Sequence, residues 1–169
     1  VADDTKKNKP FVAENREHFW VESYNRGLKL LGEDKFAAAA VAFELARLVD
    51  PSDAKAYSQG AIALINIDQL TEAAALVQEG LARDPKDKAL NELLEKIYLD
   101  EAQGLVKECE NTKDQSKGEA AESYYTLVLE RRGGSDPTVL FDRGIARLAK
   151  GAALAKGSGD TLSTGAVGA

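Results

Sequence analysis

Apolar residues recur along most of this chain at intervals of three and four, the spacing of one face of an α-helix. Trp20, Tyr24, Gly27, Leu28 and Leu31 fall at i, i+4, i+7, i+8 and i+11. A second stripe, Phe36, Ala39, Ala40, Phe43, Ala46 and Arg47, predicts a helix over about residues 35–49. Gly27, Ala39 and Ala46 are small, so two such helices can bring their backbones close. The pattern then repeats. Asp50-Pro51 recurs as Asp84-Pro85, and the same offset of 34 carries Phe36 to Leu70, Ala39 to Ala73, Ala40 to Ala74, Phe43 to Val77 and Ala46 to Gly80. Leu30, Leu64 and Tyr98 share that spacing, as do Leu31, Ile65 and Leu99. Self-similarity at a fixed period of 20–50 residues is the signature of a tandem repeat.

Each unit reads as two helices closed by proline. Proline cannot continue the preceding helix, and its fixed φ suits the start of the next. Asp50 and Asp84 precede these prolines and can cap the turn that follows. A 34-residue helix-turn-helix of this kind resembles the tetratricopeptide repeat (TPR) family. The first unit supplies Gly27, Leu30, Ala39, Phe43, Ala46 and Pro51, with Ser23 where an aromatic residue is expected and Trp20 one turn earlier. The second supplies Tyr57, Ala61, Leu64, Ala73, Val77, Gly80 and Pro85.

The third unit departs from the pattern. Leu94 and Tyr98 match its first helix, but the alanine-to-aromatic step comes only at Ala121 and Tyr125, 14 residues late. That length is close to four helical turns. Divided between two antiparallel helices, it lengthens each by about two turns. The expected elements are one long helix over 87–110, a turn over 111–118 and a return helix to Arg132, forming a hairpin that projects beyond the stack. After Gly133-Gly134, the string Ser135-Asp136-Pro137 starts a last helix to about Lys156, with Val139, Leu140, Ile145 and Leu148 as its apolar face. Solenoids need a terminal cap, and this helix is the candidate.

The expected fold is therefore all-α. The resemblance implies a right-handed α-solenoid of about three TPR helical hairpins, the third elongated, with a C-terminal capping helix. The solenoid spans 12–156. Residues 1–11 are polar, lack a periodic stripe and read as a flexible arm, while 157–169 form a Gly/Ser-rich tail. Within that tail, residues 162–167 are small, apolar and uncharged, which also suits docking on a partner as an extended strand.

Composition narrows the function. The 169 residues carry a net charge of -6, and the isoelectric point is near 5.0. Residues 11–136 alone hold an excess of nine acids, between mildly basic ends. Nucleic-acid-binding domains usually have an isoelectric point above about 9, so nucleic acid is not an expected partner. The longest uncharged apolar run, residues 36–43, is far short of the roughly twenty residues a membrane-spanning helix needs. There is no methionine, even at position 1, which is the start that signal-peptide removal would leave. Export to a periplasm or the extracellular space is the expectation, with a cytoplasmic location as the alternative.

Catalytic chemistry lacks an inventory. The single histidine, His18, sits among charged neighbours on the first helix and reads as a surface residue. The single cysteine, Cys109, lies between Glu108 and Glu110, whose charges would raise a thiol pKa, and it reads as a packing residue. No cofactor, metal site or enzyme activity is expected.

What remains is a protein-interaction scaffold. The resemblance implies that the first helix of each unit lines an extended concave surface. Its inward positions here are Val21, Tyr24, Asn25, Leu28 and Leu31. The second unit adds Lys55, Ser58, Gln59, Ile62 and Ile65, and the third Glu92, Leu93, Lys96 and Leu99. Apolar residues mixed with amides suit a peptide or protein segment whose backbone the amides can bond. Paired Lys and Asn residues that clamp a C-terminal carboxylate in some family members are absent, with Tyr24 and Leu28, then Ala89 and Leu93, in their places. The alternatives are a structural subunit of a larger envelope or extracellular assembly, or a TPR-type secretion chaperone.

Overall fold

The computed structural model describes the backbone of residues 4–163 and the side chains of residues 15–156. Readings that rest on side chains of the arm or the tail lie outside the described residues. Seven helices and no strand are present among the described residues. They are α1 (Asp4–Gly32), α2 (Phe36–Val49), α3 (Ala54–Ile65), α4 (Leu70–Arg83), α5 (Lys88–Thr112), α6 (Gln115–Arg131) and α7 (Pro137–Ser163). Helical backbone thus enters both terminal segments that composition separates from the repeat. The chain divides into two compact units, Val1–Leu94 and Glu95–Ala169, and the division falls inside α5.

In the first unit α1 packs on α2, α2 on α3 and α3 on α4. The 34-residue pattern is carried by geometry as well as by residue type. Each first helix ends on an aspartate in the left-handed region, Asp34 (φ 57°) and Asp68 (φ 60°). After it, Lys35 N donates to Leu30 O (2.9 Å) and Gln69 N to Leu64 O (3.0 Å). This is the six-to-one bond that closes a helix C-terminus when the residue past its end turns left-handed.

The prolines at the unit ends are followed by matching caps. Asp50 Oδ1 accepts from Ser52 N, and Asp84 Oδ1 from Lys86 N, so both aspartates hold the turn. The helices themselves start on Asp53, which accepts from Lys55 N, and Asp87, which accepts from Leu90 N. Ala39 and Ala73, Phe43 and Val77, and Ala46 and Gly80 are buried pairwise at the 34-residue offset. A Cβ on Gly27 would sit 2.5 Å from the Phe43 ring, and one on Gly80 2.8 Å from Leu90. Only glycine fits at these crossings. Arg47 marks the edge of the buried face of α2. Its guanidinium pairs with Glu44 (2.6 Å) and reaches Glu79 on α4 (2.7 Å), tying the two second helices together.

The second unit contains the rest of α5 with α6 and α7. Arg132 pairs with Glu95, the Tyr98 and Tyr124 rings lie 5.5 Å apart, and Lys117 pairs with Glu108 (2.8 Å). These contacts run in opposite directions along α5 and α6, so the two form an antiparallel hairpin.

The elongation is unequal. α5 has 25 residues against 12 in α3, whereas α6 has 17 against 14 in α4. The turn is also shorter than the expected span of 111–118. Lys113 is left-handed (φ 61°) and Asp114 already caps α6. Gly118 therefore lies inside α6, buried against α7, where a Cβ would meet Lys150 Cβ at 2.8 Å and Cys109 Sγ at 3.2 Å. The far end of the hairpin is covered by α7 and does not stand free.

The buried face of α7 is Val139, Ala146, Ala149 and Ala153. Leu140 and Leu148, expected on that face, point outward. Alanines bring α7 close to α6 at Gly118, and larger side chains in their place would hold the helices apart.

Candidate functional site

The predicted binding residues on α1 and α3 occupy helices that touch one another in the first unit. Val21, Asn25 and Leu28 form an exposed stripe on α1. Lys55 is exposed on α3, while Ser58, Gln59 and Ile62 are half-buried. Ser58 Oγ donates to Lys55 O, and Ile62 O accepts from Asn66 Nδ2, so part of this polar capacity is used locally. Leu31 packs on the core around Ala39, Phe43 and Ala63, and Ile65 is half-buried.

Tyr24 has two roles. It belongs to the partly buried residues around Phe43, with its ring edge-on to Phe43 at 5.6 Å and stacked on Trp20 at 4.8 Å. Burial pushes its phenol above the ordinary value, and the charge of Asp53 adds to the shift. Its hydroxyl therefore stays protonated at neutral pH as a donor, and its ring supports the core.

The third-unit positions fall on α5. Glu92 pairs with Lys88 (3.5 Å), and Lys96 pairs with Asp100 (3.2 Å), each along the helix surface. Leu93 and Leu99 are half-buried. Glu92 and Leu93 belong to the first unit, Lys96 and Leu99 to the second.

A cleft of about 600 Å³ opens between α1 and the turn joining α2 to α3. It is lined by Arg16, Glu17, Trp20 and Val21 from α1 and by Asp50, Ser52 and Asp53 from the turn. The Arg16 guanidinium is occupied, donating to Val49 O from Nη2 (2.9 Å) and Nε (3.3 Å), where it closes the C-terminus of α2. Asp50 is held below the usual carboxylate range, first by the Ser52 hydroxyl (2.6 Å) and then by Ser52 N, with Arg16 nearby. The indole N–H of Trp20 is buried and has no acceptor among the described residues.

The chain matches no family model and no curated protein.

Sequence reasoning passed over this cleft. It placed Trp20 on a helix face and Asp50 in a turn, each correctly by local pattern. Their meeting with Glu17 and Asp53 depends on α1 running past the end of α2, and no local spacing reports that. The one available signal was the clustering of Asp50 and Asp53 around Pro51.

A second cleft, about 480 Å³, lies on α6 and α7 beside Glu122 and Lys150. Of its two carboxylates, Glu122 pairs with both Arg147 and Lys150 (3.1 Å), and Glu119 accepts from Gln115 Nε2 (2.8 Å). His18 is exposed, with Nε2 3.9 Å from Glu22, and Cys109 is fully buried. Among the described residues no three His, Cys, Asp or Glu side chains are placed to hold a metal ion. No helix of the described residues is long and apolar enough to cross a membrane.

Proposed function

We propose that this protein is a non-catalytic interaction scaffold of the TPR type, binding a peptide or protein segment along the first helices of its repeats. The observation that carries the reading is the recurrence, at 34 residues, of buried small residues and left-handed aspartate turns in α1–α4 and of the aspartate caps that start α3 and α5. In such an array the second helices hold neighbouring units together, as Arg47 and Glu79 do here, and the first helices keep their outer stripe for a ligand. The packing of α7 along α6 supports reading α7 as the terminal cap. The stripe of Val21, Asn25 and Leu28, with Lys55, Gln59 and Ile62 on α3, offers apolar area together with amide donors and acceptors.

Selection of peptides from a random display library tests this. Peptides that bind should lose about tenfold or more in affinity on Asn25→Ala or Leu28→Ala, with melting unchanged, since hot-spot truncations cost about 2 kcal/mol. Tyr24 is a poor test site because it also packs on Phe43. If every selected peptide binds both variants as tightly as the parent protein, the groove is not the working surface.

A second reading, a subunit of a larger assembly, is favoured by the outer face of α7. Phe141 and Leu148, one spacing of seven apart, are 68% and 70% exposed. Sedimentation of the purified chain separates the two, because Phe141→Ser with Leu148→Ser should abolish any self-association.

A further inference from the structure

We propose that the cleft between α1 and the α2–α3 turn receives a basic side chain of the bound segment, an arginine in preference to a lysine. This rests on the groove reading of α1 and α3 and specifies the chemistry of its ligand. Among the described residues three carboxylates, Glu17, Asp50 and Asp53, line the cleft against one base, Arg16, whose guanidinium already serves the end of α2. Asp50 and Asp53 each use Oδ1 within the turn, and Oδ2 of both has no hydrogen-bond partner among the described residues. Trp20 lines the same cleft, backed by Tyr24 in a near-parallel stack (10° between ring planes).

Carboxylate oxygens beside an aromatic plane form the environment that stabilises a guanidinium. Its planar fork can bond a carboxylate with two parallel N–H groups while its face lies on a ring. An ammonium makes the point-charge contact alone, which sets the preference for arginine. The volume, about 600 Å³, exceeds what one side chain needs and leaves room for the backbone on either side of it. The excess of acid at the cleft opposes phosphate-bearing ligands such as nucleic acid or anionic lipid, and favours a basic peptide segment. Val21, the residue shared by the cleft and the exposed stripe of α1, makes the two surfaces continuous.

Trp20 is the only tryptophan, so its indole N–H gives a single side-chain resonance at the cleft itself. The probe is a blocked nine-residue glycine-serine peptide with one central arginine, against the same peptide carrying lysine or glutamine. The arginine peptide should shift the Trp20 resonance saturably, more tightly than lysine and at least about fivefold more tightly than glutamine. Glu17→Gln with Asp53→Asn should weaken the arginine peptide by about five- to tenfold, and high salt should weaken it too. Asparagine is as good a helix cap as aspartate, so the double variant keeps the start of α3, and an unchanged melt checks this. Equal shifts from the arginine and glutamine peptides, or an unaltered titration in the double variant, would overturn the proposal. The groove reading is judged separately, by the response of library-selected peptides to Asn25→Ala and Leu28→Ala, so either idea can fail while the other stands.

Discussion

In the first unit the helices meet through small residues at matched positions of a repeat, Ala39 with Ala73 and Ala46 with Gly80. In the second, α6 and α7 meet through Gly118 and an alanine face at positions 146, 149 and 153, spaced as Ala39, Ala42 and Ala46 are on α2 but outside the 34-residue repeat. Both units reach close helix packing by omitting side-chain bulk at the crossing. The difference lies in the fillers. The first unit has Phe43 and Tyr57, fully buried rings that fill the space beside the crossings, and its ion pairs lie at the edges. The second also buries two rings, Tyr98 and Tyr125, but its crossing at Gly118 meets Lys150 and Cys109 and no ring, and the Glu122 pairs span the α6–α7 seam. In the repeated unit, then, an aromatic ring sits at the glycine crossings, Phe43 at Gly27 and Tyr57 at Gly80, while the α6–α7 crossing combines close backbones with charge.

The largest test of that contrast is Phe43→Ala. Loss of a fully buried ring should destabilise the protein by about 3–5 kcal/mol in a denaturant titration. A cost under about 1 kcal/mol would mean that the first unit is not organised around this ring.

Added bulk should hurt both units alike. Ala73→Leu in the first and Gly118→Ala in the second should each cost about 1–3 kcal/mol through overpacking. The Gly118 result is the sharper one, because alanine is the better helix former and only the contacts with Lys150 and Cys109 oppose it. A higher melting temperature for Gly118→Ala would show that α6 and α7 are not in close contact there.

A control of opposite sign comes from Gly104, exposed within α5 and with nothing near its Cβ position. Gly104→Ala should stabilise by about 0.5–1 kcal/mol, the ordinary helix gain, and raise the thermal midpoint.

The smallest effect belongs to the charged seam. The Arg147 hydrogen bond, aided by Lys150 and opposed by burial, holds the Glu122 carboxyl below its ordinary value. A depressed folded-state pKa contributes stability that is complete above the unfolded value, near about 4.3, and is lost as pH falls through the folded one. Stability measured from pH 6 to pH 3 should thus fall less steeply in Glu122→Gln than in the parent. The difference should stay below about 1 kcal/mol, since Arg147 is largely exposed. Parallel curves for the two proteins would remove the seam from the account of the second unit.

The two regions were also unequally legible. The end of α1 and the placing of α2–α4 follow from the 34-residue pattern because a repeat reports tertiary contact in the sequence itself, each crossing being stated twice; the start of α1 at Asp4, within the expected arm, does not. Ala39, Ala73 and Phe43 were readable as buried for that reason. Unit two states each contact once. Its extra 14 residues were expected to divide evenly between two helices, but Asp114 caps α6 only two residues after α5 ends, and nearly all of the length goes into α5. Leu148 looked like a core residue because it is large and apolar at helical spacing. The buried position is instead Ala149, next to Lys150, whose Cα and Cβ lie against Gly118. The acidic cleft was illegible for a related reason, as Glu17 and Asp53 are 36 residues apart and meet only because Arg16 fastens α1 across the end of α2.

Helix content, the period, the proline-ended units and the aspartate caps are determined by the sequence alone, because each depends on residues within one or two turns of one another. Which face of α7 is buried, how far α5 extends and which carboxylates share a cleft were decided by tertiary structure. Those outcomes depend on how closely two backbones can approach, and that distance is set jointly by side chains on both helices.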